Sequence, residues 1–241
     1  MDRKIRVTIW NEFRHEKTDA HVKELYPDGL HAYIKKFLEK DGDIEVRLAC
    51  LDDPDQGLPQ EVIDRTDVLM WWGHMHHGEV SDAVVNRVKK AVFAGMGFIP
   101  MHSAHQSKPF QAILGTEGNL QWGDERREVI WNMLPQHPIA AGIPKCFTLP
   151  KEELYAEPFS IPAPDELVFT SWFEDGFIFR SGCCWYRNAG KIFYFQPGHE
   201  EVPTYYNEYV QKILTNAVHW AAPADYGFEI PRSCNYTADK F

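Results

Sequence analysis

A chain of 241 residues, 44% hydrophobic and 25% charged, can bury a sizeable core without disulfides and need not divide, so residues 1–241 are expected to form a single domain. A formal charge of −10 with no lysine or arginine block removes the attraction on which most nucleic-acid affinity rests, which leaves a small neutral ligand as the compatible partner. The five cysteines, Cys50, Cys146, Cys183, Cys184 and Cys234, leave an odd thiol under any complete pairing, and no stretch resembles a secretion signal or a membrane span; the expected setting is the cytoplasm.

Lys4 to Trp10 read as a first strand that turns polar at Asn11, and Leu30, Ile34, Phe37 and Leu38 make an apolar stripe that predicts a helix begun near Asp28. Ile44, Val46 and Leu48 alternate as a second strand, while Val68 to Trp72 form a continuous apolar run suited to a buried parallel strand. Polar GHMHHGE follows at once. Val80, Val84, Val88 and Val92 then recur at helical spacing, Gly95 offers a stop, and Gly97 to Met101 form the next strand, ending in HSAH. Strand–helix alternation of this kind predicts an open, mainly parallel sheet flanked by helices, flavodoxin-like, with ligands bound beyond the carboxyl ends of the strands.

The second half is less regular. Short strand-like runs near Lys145–Leu149, Leu167–Phe173 and Phe177–Arg180 read as additions to the same domain, Lys191 to Gln196 as a firmer strand, and Tyr206 to Trp220 as a helix on the period of Val210, Ile213, Leu214, Ala217 and Val218. The tail beyond is expected on the surface or against a partner. There is no internal repeat, phosphate loop or glycine-rich dinucleotide fingerprint, so neither a nucleotide nor a flavin is predicted.

His15, His74, His76, His77, His102, His105 and His199 all follow predicted strands. This fold brings such loops to one crevice, where imidazoles serve as metal ligands or as acids and bases near neutral pH. His102, on the turn after the fourth strand, and His199, after KIFYFQPG, are the leading catalytic pair, with Glu201 as supporting carboxylate; Glu200 and Glu201 both offer a base, a ligand or a carboxylate that orients a histidine. They are also the leading ligands for a divalent ion, zinc before manganese or iron, with His77 or a carboxylate as a third. The bland reading gives the same histidines structural hydrogen bonds to loop backbones. HMHHGE lacks the order and spacing of the helical HExxH zinc motif.

Asn11, Arg14 and His15 at the end of the first strand, with His74, are candidate substrate contacts. Glu79 either orients a histidine or opens the following helix. Trp10, Trp71 and Trp72 are expected in the core, whereas Trp122, Trp172, Trp185 and Tyr186 lie where a flat aromatic wall faces a sugar ring or a second copy in a homo-oligomer.

The segments WNEFRHE, WWGHMHHGEV, GMGFIPMHSAH, HPIAAGIP and FYFQPGHEE together resemble the trehalose-utilisation ThuA-like family over roughly residues 4–220. The resemblance implies a class I glutamine-amidotransferase-like α/β fold and an association with sugar utilisation. In an amidotransferase the turn after the central strand carries a cysteine nucleophile served by a downstream histidine and carboxylate. Here His102 stands at that turn, His199 and Glu201 resemble the other two members, and Ser103 is the one nearby hydroxyl. Glutamine hydrolysis is therefore not expected. Two functions remain open: an enzyme acting on a sugar or oxidised sugar derivative, or a non-catalytic carbohydrate-binding or regulatory protein on the same scaffold.

Overall fold

A computed structural model describes residues 3–223; the C-terminal tail and Cys234 lie outside the described residues. Strand β1 (Ile5–Asn11) leads through two short helices, α1 (His15–Thr18) and α2 (Ala20–Leu25), into α3 (Leu30–Leu38), which buries the Leu30, Ile34, Phe37 and Leu38 stripe. Strand β2 (Ile44–Cys50) and the single-turn helix α4 (Gln60–Ile63) precede β3 (Val68–Trp72), whose residues are all buried. Helix α5 (Asp82–Phe93) starts at Ser81, whose hydroxyl accepts the Val84 N–H, so Val80 of the predicted stripe lies just before it. Strand β4 (Gly97–Met101) and helix α6 (Lys108–Leu114) complete the first half.

The second half extends the same sheet. Strands β5 (Gln121–Asn132), β6 (Cys146–Ala156), β7 (Glu166–Phe173), β8 (Ile178–Arg187) and β9 (Gly190–Phe195) are followed by the closing helix α7 (Glu208–Ala221). The sheet has nine strands in the order β2-β1-β3-β4-β9-β8-β7-β5-β6. From β2 to β9 neighbours run parallel; from β9 to β6 they run antiparallel, with β9 belonging to both halves. The open α/β sheet flanked by helices is as the sequence predicts. The long β5, which carries too many charged residues to read as a core strand, is the element the sequence pattern hid.

Strand alternation divides the core. Val68, Met70 and Trp72 face the layer of α3 and α7, whereas Leu69 and Trp71 face that of α5 and α6, so β3 is buried on both sides and reads as unbroken apolar sequence. Trp10 and Trp71 stack at 3.9 Å in the second layer, placing these tryptophans in the core as expected. Helix α7 contributes Val210, Ile213, Leu214, Ala217 and Val218, all fully buried, and each larger side chain is worth about 1.5–3 kcal/mol. No helix among the described residues is long and apolar enough to cross a membrane.

Candidate functional site

The carboxyl ends of β1, β3, β4 and β9 meet at one edge of the sheet, and His102 occupies the turn that ends β4. Its φ of +52° puts a non-glycine residue in the left-handed region, a conformation costing roughly 1–3 kcal/mol that surrounding contacts must hold. Three do so: Nδ1–H donates to the Gln196 carbonyl at 2.9 Å, the Tyr194 hydroxyl donates to the His102 carbonyl at 2.9 Å, and the ring stacks on Tyr155 at 5.0 Å. The remaining nitrogen, Nε2, lies 3.0 Å from Glu153 Oε2. Burial opposes charge on this ring, but Glu153 outweighs it, with help from Glu152 and Glu200, and lifts the pKa to about 9. His102 is thus an imidazolium with both nitrogens taken.

Buried carboxylates fix the loops around it. Glu12, directly after β1, accepts backbone N–H bonds from His74 (2.8 Å), Met75 (3.0 Å) and His76 (3.0 Å), pinning the histidine loop after β3. From β6, Glu152 accepts the N–H groups of Gly198 (3.1 Å) and His199 (3.0 Å) and the Thr204 hydroxyl (2.5 Å), pinning the loop after β9. Gly198 has φ +147°, and a Cβ there would fall 2.3 Å from the Tyr205 hydroxyl, so the sharp turn that presents His199 requires glycine.

Between these loops His74 lies 5.8 Å from His102 and 5.5 Å from His199, ring centre to ring centre, and His102 lies 5.4 Å from His199. His74 Nδ1 meets both oxygens of buried Glu200, at 2.7 and 2.9 Å. Burial opposes ionisation of Glu200, yet this pairing brings its pKa down to about 2. Burial, reinforced by the charge on His102, lowers His199 to about 4; burial likewise lowers His77 to about 4 and His105 to about 3. A cavity of about 440 Å³ opens beside the cluster, lined by His74, His77, Ser103, Trp122, Glu153 and Tyr155 among others. Its size suits a small polyhydroxyl ligand, and Trp122, 73% exposed, offers a flat apolar wall. A smaller hollow at the opposite strand ends is lined by Arg6, Glu45 and Arg47, but Arg6 is already committed to Asp67 at 2.8 Å.

A family model described as ThuA, trehalose utilisation, matches residues 6–221. The chain belongs to the ThuA family. A putative ThuA-like protein from Parabacteroides merdae has 16% identity and a TM-score of 0.70, over 96% of this chain and 93% of that one. A second, from Bacteroides uniformis, has 14% identity and a TM-score of 0.63, over 91% and 92%. A glutamine amidotransferase from Thermotoga maritima has 12% identity and a TM-score of 0.54, over 91% and 98%; at this identity the likeness is one of fold. The comparison with curated proteins gives no match. ThuA membership points to a role in carbohydrate utilisation, and the fold is that of the amidotransferases.

In this ThuA-family chain the predicted pair His102 and His199 is brought together, and the two carboxylates that follow His199 differ in burial. Glu201 is exposed at the rim, while Glu200, 2% exposed, takes the buried place beside the histidines. His77 lines the cavity and shares no cluster of close ligand atoms with His102 and His199 among the described residues. His102 is itself a poor ligand, both ring nitrogens being engaged.

Asn11, fully buried, donates to Glu16 at 2.8 Å and accepts the Phe13 N–H at 3.0 Å, so it builds the turn rather than facing the cavity. Arg14 is held at the surface by Asp52 and Glu79, and His15 sits beside His74 with its Nε2 3.4 Å from Glu200. Glu79 also contacts His76 Nδ1 at 2.5 Å, while Ser81 caps the helix. Trp122 is at the cavity; Trp172 lies on β7 under Arg127, and Trp185 is fully buried, bonding the Pro162 carbonyl. Ser103 donates its hydroxyl to the Gly73 carbonyl at 2.7 Å, a structural use that leaves no triad. Sequence reasoning missed Glu152, Glu153 and Tyr155, which lie in a strand whose register no pattern revealed.

Proposed function

We propose that this protein is an enzyme of carbohydrate utilisation that moves a proton on a sugar or oxidised sugar derivative bound in the strand-end cavity. One observation carries the reading: His77, His74, Glu153 and Tyr155 line a single cavity against the exposed face of Trp122. An apolar ring face beside convergent polar groups suits a pyranose, which has one apolar face and a hydroxyl rim. His77 Nε2 is buried without a hydrogen-bond partner, which makes it the base.

For a sugar with an oxidised carbon, His77 takes the proton from the carbon next to the carbonyl. The C–H electron pair becomes a carbon–carbon double bond, and the carbonyl oxygen gathers the charge. Tyr155, which lines the cavity and stacks on the positive ring of His102 at 5.0 Å, is the group to stabilise that charge in this reading. Returning the proton to the former carbonyl carbon, as the hydroxyl on the deprotonated carbon passes its own proton to the carbonyl oxygen, isomerises the sugar; loss of a substituent, with its electron pair, from the carbon on the other side of the deprotonated one eliminates it. A divalent ion, zinc before manganese or iron, belongs to this reading as the electrophile on the carbonyl oxygen. The four described cysteines are free thiols, in keeping with a cytoplasmic setting.

The test is proton exchange in D2O followed by NMR on a panel of keto-disaccharides, sugar lactones and the parent sugars. The expected result is deuterium at the carbon beside the carbonyl, lost by about 10²–10⁴-fold in His77→Gln with the melting temperature preserved. Binding of a sugar without exchange or conversion would replace this reading with a carbohydrate-binding protein.

A further inference from the structure

We infer that His74, His199 and Glu153 form a three-ligand seat for a divalent cation, zinc by preference, with its open position toward the cavity. One ligand atom from each of the three lies within 4.8 Å of the others. Two imidazoles and one carboxylate are a donor set that zinc uses at catalytic sites, leaving a fourth position for water or substrate. Bonds of about 2.1 Å place such ligands about 3.4 Å apart, a contraction within reach of side-chain rotation.

The partners of each ligand select this set over its neighbours. Glu200, by accepting the His74 Nδ1–H at 2.7 Å, fixes the tautomer that leaves Nε2 as a lone pair. This is the carboxylate–histidine–metal arrangement that orients ligands in zinc proteins. His199 has a buried Nδ1 with no hydrogen-bond partner, and its backbone is clamped by Glu152. Glu153 Oε2 takes the charge of His102 at 3.0 Å, so His102 orients the carboxylate ligand instead of binding the ion. The other clusters here are less suitable: Glu125, His199 and Glu201 would draw on a carboxylate exposed at the rim and would leave out the oriented His74. His15, His74 and Glu200 would place the ion where His74 and Glu200 already share a proton, and His102, His199 and Glu200 would use a ring with no free nitrogen. Both His74 and Glu153 line the cavity, so a bound ion there meets the ligand's oxygen.

The seat rests on the reading of this cavity as a reaction site for its chemical purpose, but ion binding is measured without any sugar. Chelator-treated full-length protein, made without a metal-affinity tag, is titrated with zinc against a chromophoric competitor, and with cobalt for its visible spectrum. The expected result is one ion per chain, a cobalt spectrum of low coordination number, loss of binding in His74→Gln and His199→Asn, and affinity about 10–100-fold weaker in Glu200→Gln. Crystals of the wild-type protein, with data collected at the zinc edge, locate the ion independently of how any variant folds. An ion within about 2.0–2.2 Å of His74 Nε2, His199 and Glu153 upholds the seat. No binding below millimolar zinc, or an ion bound to His102, overturns it. Sugar conversion by a protein that binds no ion in the titration would sink the seat while leaving the proton-transfer reading intact; a bound ion with no sugar chemistry would do the reverse.

Discussion

His102 shows how one residue sets the chemistry of a shared fold. At the left-handed turn after β4, where the amidotransferase likeness calls for a thiolate, the chain has an imidazole with both nitrogens occupied and a pKa raised to about 9. A doubly hydrogen-bonded imidazolium has no lone pair for attack. Nor do the two thiols of β8 substitute: Cys183 and Cys184 are buried, and burial pushes the Cys183 thiol up to about 12 and that of Cys184 well above its ordinary value. Purified protein should therefore release no ammonia from glutamine above a heat-inactivated control in a coupled assay. Sustained release that copurifies with the chain and survives His102→Asn would place a nucleophile elsewhere. Of this site, sequence alone supplied the histidines, because polar residues after apolar strands mark the crevice of an open sheet. It offered Glu200 and Glu201 beside His199 without choosing between them, and it did not supply Glu152 or Glu153. Glu201 has the spacing that the family resemblance suggests, yet Glu200 is the buried neighbour, a choice made by the turn at Gly198 and not by composition.

At the scale of elements, the parallel half was legible because strands buried on both faces read as apolar runs: β3 and β4 fall at the predicted residues. Strand β5 was not, since DERRE within it resembles an exposed loop, and only pairing with β6 and β7 makes it a strand. Residues 152–156 of β6 are all buried, so this end of the strand is covered on both faces and consecutive Glu152 and Glu153 are buried together. The same pairing buries Glu128 completely, with Ser171 donating to one oxygen while the other has no partner. Burial, reinforced by Glu152, holds its carboxyl pKa well above 4.5. The folded state therefore keeps a proton that the unfolded chain gives up, so Glu128 lowers stability as pH rises above about 4.5 and has no effect below it. Replacing Glu128 by Gln keeps shape and neutrality. Urea unfolding of the two proteins side by side should show equal stability near pH 4 and a growing advantage for Glu128→Gln from pH 5 to 8. A difference that does not vary with pH would mean that Glu128 is ionised in the fold.

Across the whole molecule, two halves of one sheet are joined at β9, and the candidate site draws on both: His74 and His102 from the parallel half, Glu152, Glu153 and Tyr155 from the antiparallel one. Glu152 is the main polar tie. From β6 it holds Gly198, His199 and Thr204, segments that lead from β9 into α7, and it does so while fully buried. Removing the carboxylate takes the acceptor from three backbone N–H groups, those of Glu153, Gly198 and His199, and from the Thr204 hydroxyl, and each group left without a partner inside the protein costs about 1–3 kcal/mol. Glu152→Ala should therefore lose about 3–5 kcal/mol in urea unfolding, equivalent to roughly 10 °C in melting temperature for a domain of this size. Glu152→Gln, which keeps one acceptor but turns an amide toward those donors, should fall between alanine and the native residue. In both variants the loop bearing His199 loses its clamp, so zinc affinity should drop along with stability, whereas a surface change such as Lys36→Ala should alter neither. If Glu152→Ala unfolds at the native urea midpoint, the two halves are joined by apolar packing alone, and the position of His199 owes nothing to this carboxylate.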